Sequence, residues 1–124
     1  MEILVIRSWL LLLYLELVMR FHTFQALHEL VRRKSIRAIP ASPYSSEQLC
    51  HAIDLACVLY FKPVMCLQRS AAATLLLRCY GLKAELVIGA QVLPFRSHAW
   101  VEIDGHVVND KAYVPEIYSV LERC

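Results

Sequence analysis

Neither sign of charge dominates this chain: 13 basic residues stand against 11 acidic ones, a formal net charge of +2 in 124 residues. A nucleic-acid-binding face or an acidic tail needs a larger imbalance, so neither is expected. Zinc-type cysteine pairs are also missing. The five cysteines, Cys50, Cys57, Cys66, Cys79 and Cys124, form no C-x-x-C, and no Cys/His spacing suits a zinc site. Cys50 and His51 are adjacent, and adjacent helical residues do not face one site. No metal and no cofactor is expected, and the odd cysteine count points to reduced, mostly buried thiols in a cytoplasmic protein. Long uncharged runs are absent too. Glu2, Arg7, Glu16 and Arg20 interrupt the N-terminal leucines, and the longest uncharged stretch there runs from Ser8 to Leu15, against roughly twenty residues for a spanning helix. Glu2 and the lack of an A-x-A site argue against a signal peptide. The expectation is a largely buried helix, with an interfacial or partner-binding helix as the alternative and no membrane contact. There is no internal repeat.

What is present is apolar: 58% of residues are hydrophobic and only 3 are glycine. The length suits one domain spanning 1–124 with a single core, and the surplus of apolar residues suggests that some of them meet a partner. Residues from about Leu4 to Arg33 lack Gly and Pro and place Leu10, Leu13, Leu17 and Phe21 at helical steps. This segment, 1–34, reads as one apolar helix with Arg32, Arg33 and Lys34 at its end. Residues 35–46 read as a linker around Pro40 and Pro43, with Ser45 or Ser46 able to cap the next helix. The core then occupies 47–124. Helices are expected over Glu47–Tyr60 and Cys66–Tyr80, the second closed by Gly81 and packed on most sides. Ala84 to Leu93 is β-rich, and His98 to Asp110 alternates around Asp104-Gly105, a hairpin signal. Tyr113–Leu121 is expected to form a short final helix. Helices first and an antiparallel sheet second make an α+β fold.

Three residues in this frame can do chemistry together. Cys66 opens a helix, where free amides and the positive helix end favour a thiolate. His98 opens one strand and Asp110 closes the next. Packing the helix on the sheet would let Cys66 attack a carbonyl, His98 move the proton and Asp110 orient the imidazole. Each residue alone has a plainer reading, as core thiol, strand residue and turn residue. The hairpin also poses a difficulty. A two-residue Asp104-Gly105 turn pairs Ile103 with His106 and puts Asp110 on the face away from His98, with Asn109 on its side instead. A bulge or three-residue turn near Gly105 or His106 is therefore expected. Gln48 is the available side-chain oxyanion donor, though an ordinary first-turn helix position suits it as well. Trp100 could shield the His98–Asp110 pair, and Phe95 could line a substrate pocket. Arg69, a cation in a helix's first turn, needs an acid such as Glu102 or else a substrate carboxylate.

These residues carry a resemblance. C-L-x-R-S at Cys66 to Ser70, A-E-L-V-I-G at Ala84 to Gly89, P-F-x-x-H-A-W-V-E at Pro94 to Glu102 and D-G-x-V-V-N-D at Asp104 to Asp110 resemble the transglutaminase-like leader peptidases of lasso-peptide biosynthesis. The likeness is to the stand-alone peptidase half of the so-called B protein, and it implies a papain/transglutaminase-like core. It further implies a cysteine peptidase, with Cys66, His98 and Asp110 as its triad, that removes the leader from a ribosomally made precursor. A macrolactam synthetase and a small leader-recognition protein are the implied partners, and the surplus of apolar residues would suit docking to them through residues 1 to 34. Acyl transfer by the same triad and a non-catalytic scaffold in a maturation complex are the competing readings.

Overall fold

The computed structural model describes residues 2–37 and 43–124; Pro40 and the adjoining part of the expected linker lie outside them. The fold is α+β. Two helices, α1 (Glu2–Phe21) and α2 (Phe24–Arg33), replace the single N-terminal helix expected from the sequence. Thr23 is the reason: its extended backbone and side-chain oxygen, which accepts from the Ala26 amide, start a new helix. Ser45 starts α3 (Ser46–Leu59) through a capping box in which Ser45 and Gln48 satisfy each other's amides. The next helix, α4 (Cys66–Cys79), ends as expected at Gly81. With φ at 82°, Gly81 donates to Arg78 and Leu82 donates to Leu77, a Schellman closure.

Among the described residues, four antiparallel strands complete the fold: β1 (Ala84–Gln91), β2 (Arg96–Ile103), β3 (His106–Val107) and β4 (Ser119–Arg123), in the order β3-β2-β1-β4. Only Val114–Ile117 of the expected final helix is helical and forms α5. The residues after it instead extend and pair with the open edge of β1. That choice is non-local, because it takes an unpaired strand to make Ser119–Arg123 a strand.

The core forms where α4 lies between the sheet and helices α1 and α3. Every α4 residue from Ser70 to Arg78 is buried. Arg78 ends this helix by donating to the carbonyls of Val31, Lys34, Ala84 and Cys124, so one guanidinium ties α2, β1 and the C-terminal residue to α4. The other face of the sheet carries a smaller cluster of Val87, Trp100 and Val114. The N-terminal helix is only half buried. Leu4, Ser8, Leu12 and Leu15 face the core, while Ile3, Ile6, Leu10, Tyr14, Leu17 and Phe21 are exposed. Among the described residues, no helix is long and apolar enough to cross a membrane.

Candidate functional site

Cys66 is the first residue of α4, behind Met65, whose side chain makes no capping bond; Thr23 and Ser45 do cap α2 and α3. The first-turn amides and the positive end of the helix axis therefore act on Cys66 without a side-chain oxygen in competition. Cys66 and His98 line one cavity of about 220 Å³, together with Phe24, His28, Leu67, Ile88, Ser97 and Ala99. This volume is below the roughly 300–1,000 Å³ of whole ligand sites, so the cavity suits a short piece of a longer substrate.

His98 meets Asp110 through Nε2 and Oδ2 at 2.6 Å. The other carboxylate oxygen accepts from the Lys111 amide at 2.8 Å. Burial pushes the Asp110 carboxyl upward, but the bonds from His98 and Lys111, with the charge of Arg69, outweigh it and hold Asp110 below the usual carboxylate range. An ionised Asp110 fixes the proton on Nε2 of His98, and Nδ1 becomes the lone-pair nitrogen that can accept a proton. The ring is held flat by stacking on Tyr118, centroids 5.2 Å apart, and on Trp100, centroids 6.0 Å apart. Trp100 is fully buried and donates to Glu102 at 2.7 Å, so it both fills the smaller core and backs the imidazole.

Asp110 reaches His98 by a route other than the expected bulge. The turn is a regular two-residue one: Ile103 pairs with His106, and Asp104 and Gly105 have φ of 50° and 79°. Strict alternation would then send Asp110 to the wrong face, but the ladder stops first. Val108 donates to Val101, and Asn109 then substitutes its side chain for the next backbone rung. Its Oδ1 accepts from the Val101 amide at 2.8 Å and its Nδ2 donates to Ser70 at 3.0 Å. Asn109 thus turns toward α4 and Asp110 toward His98. The irregularity in the sheet lies instead between β1 and β4, at Ile88/Gly89.

The remaining candidates are placed differently from expectation. Gln48 is exposed, and its Oε1 accepts from the Ser45 amide at 2.9 Å, so it caps α3 and does not line the Cys66 cavity. Phe95 is 76% exposed at the tip of the β1–β2 connection and is not among the cavity's lining residues. Arg69 pairs with Asp54 at 2.9 Å, and Glu102 pairs with Arg123 at 2.6 Å; the expected Arg69–Glu102 pair is not formed, because Glu102 lies on the Trp100 face of β2. The sequence pattern gives no sign of His28. It lines the Cys66 cavity from α2, with Nδ1 3.4 Å from Glu122 of β4. No spacing could have signalled this, because three distant segments meet there.

The profile of the transglutaminase-like superfamily matches residues 9–123. The microcin J25-processing protein McjB of Escherichia coli is 41% identical over 56 residues, which are 45% of this chain and 27% of that protein. The matched stretch is thus little more than a quarter of that relative's length. No solved structure matches the chain.

Proposed function

By its match over residues 9–123 the chain belongs to the transglutaminase-like superfamily, and we propose that it is a cysteine peptidase that removes the leader from a ribosomally made lasso-peptide precursor. The carrying observation is the His98–Asp110 pair at 2.6 Å, whose histidine lines one cavity with Cys66 at the start of α4. The sequence likeness at Cys66 to Asp110 and the processing role in the relative's name support the choice of substrate.

In this reading His98 Nδ1 takes the Cys66 proton, and the sulfur attacks the carbonyl carbon at the leader–core junction. The tetrahedral oxyanion is met by the amide of Cys66, a donor already aligned with the helix axis. The C–N bond then breaks, and His98 returns the proton to the leaving amine. Water, deprotonated by His98, attacks the thioester, and the leader acid departs with Cys66 restored. The freed amine of the core peptide is the group a macrolactam synthetase needs, and a leader-recognition protein would deliver the precursor.

Thiol labelling tests the chemistry before any precursor is in hand. Limiting iodoacetamide between about pH 5 and 9 should modify Cys66 first below pH 7, and His98→Ala should abolish that preference. Uniform slow labelling with an ordinary thiol profile would defeat the peptidase reading and favour a scaffold. With a precursor, Cys66→Ala should abolish cleavage. A free leader acid identifies hydrolysis, and a product that appears only with an added amine identifies acyl transfer.

A further inference from the structure

Nothing in the triad explains why Asp110 stands where it does, since a regular two-residue turn would carry it to the opposite face of the sheet. The force that redirects it comes from the helix that carries Cys66. Arg69 and Ser70 lie three and four residues beyond Cys66, on the same side of α4. Arg69 Nη2 donates to the Asn109 carbonyl at 2.5 Å, and its Nε is fixed by Asp54 at 2.9 Å. Ser70 accepts from Asn109 Nδ2 and donates to the Ala99 carbonyl, each at 3.0 Å. Both the main chain and the side chain of Asn109 are therefore gripped from α4, at the residue before Asp110.

Resting on the peptidase reading, we infer that Arg69 is a positioning residue for the reaction: with Asp54 behind it and Asn109 in front, it sets Asp110 against His98. One short helical segment thereby holds the nucleophile and, through Asn109, seats the carboxylate that orients the base. A fork is the right group for this work, because two of its donors act in fixed directions at once, on Asp54 and on Asn109. The charged and titratable groups facing Asp110 are His98 on β2, Arg69 on α4, and Glu47, Cys50, His51 and Asp54 on α3.

The test is the pH profile of Cys66 alkylation by iodoacetamide in Arg69→Met and Arg69→Lys, each alone and in an Asp110→Asn background. Displacing an orienting group by a fraction of an ångström costs about ten- to a hundred-fold. Arg69→Met should lose about that much labelling rate at pH 6 and keep a cooperative melt, and Arg69→Lys should recover part of it. In the Asp110→Asn background Arg69→Met should change the rate by no more than about two-fold, because the two residues act as one unit. Asp54→Ala, which leaves α4 unaltered, should show the same loss more weakly and serves if Arg69→Met does not fold. A wild-type profile in Arg69→Met or Asp54→Ala, or a full additional loss on top of Asp110→Asn, would overturn the inference. In those outcomes the wild-type protein still labels Cys66 at low pH, which separates them from failure of the peptidase reading itself.

Discussion

At the scale of single residues, the site depends on what stands behind the imidazole. Trp100 stacks on His98 because Gly89, paired with His98 on β1, leaves room for the indole. A Cβ at Gly89 would lie 2.7 and 2.9 Å from Trp100 ring carbons and 3.0 Å from the Ser119 carbonyl. Gly89→Ala should therefore cost about 1–3 kcal/mol by overpacking, seen as a lowered melting temperature. It should also slow Cys66 labelling at low pH, because the displaced indole moves His98. On the peptidase reading, Asp110→Asn should cut cleavage by on the order of 10³–10⁴, through the wrong imidazole tautomer, and it should also lower the melting temperature at neutral pH, because the carboxyl that folding holds low is lost. His98 and Asp110 were legible in the sequence as a candidate pair, although β3 ends at Val107 and Asp110 stands beyond it instead of closing a strand. The path to Asp110 was not, because strand parity holds only while the ladder lasts and Asn109 ends it with a side-chain bond. His28 was illegible because its cavity joins elements far apart in the chain, and the partner of Arg69 because Asp54 meets it only once α3 packs against α4.

At the scale of elements, caps and closures were the most readable features, since each is a local match between a side chain and free amides. Ser45 before α3 and Gly81 after α4 stand where their chemistry requires. Thr23 carries the same kind of signal but sits inside a long run without Gly or Pro, which hides the break between α1 and α2. Ser45→Ala should destabilise the protein by about 1 kcal/mol, measurable as a shift in the denaturant midpoint. Arg78 is a larger case. Arg78→Met removes the donor from the buried Ala84 carbonyl, while the Cys124 carbonyl keeps the Leu86 amide and Lys34 is exposed; the cost should be about 1–3 kcal/mol, again read in denaturant. The last strand was hidden from local reading. Residues 119–123 become β4 only because β1 offers an edge.

At the scale of the whole molecule, acid should be the condition that loosens the fold. Glu102 is pushed up by burial, but bonds from Arg123 and Trp100 prevail and its carboxyl ends below its ordinary value of 4.5. Glu16, bonded by Lys62, and Asp110 are held low in the same direction. A carboxyl lowered by folding stabilises the native state above its unfolded value, and that contribution is lost as pH falls through the folded one. Melting temperature should thus stay flat down to about pH 5 and fall below pH 4. Glu102→Gln should flatten that acid limb in thermal melts at pH 3 to 6. The α+β class and the central place of α4 were legible from composition and order, but the orientation of α1 was not. Both of its sides are apolar, and the leucines that revealed its period lie mostly on the outer one. That outer stripe, from Ile3 to Phe21, makes the particle a surfactant in miniature. It has a wet side and an oily ridge along one edge, so dilute solutions should lose protein to air–water interfaces and plastic walls unless a mild detergent competes for the ridge.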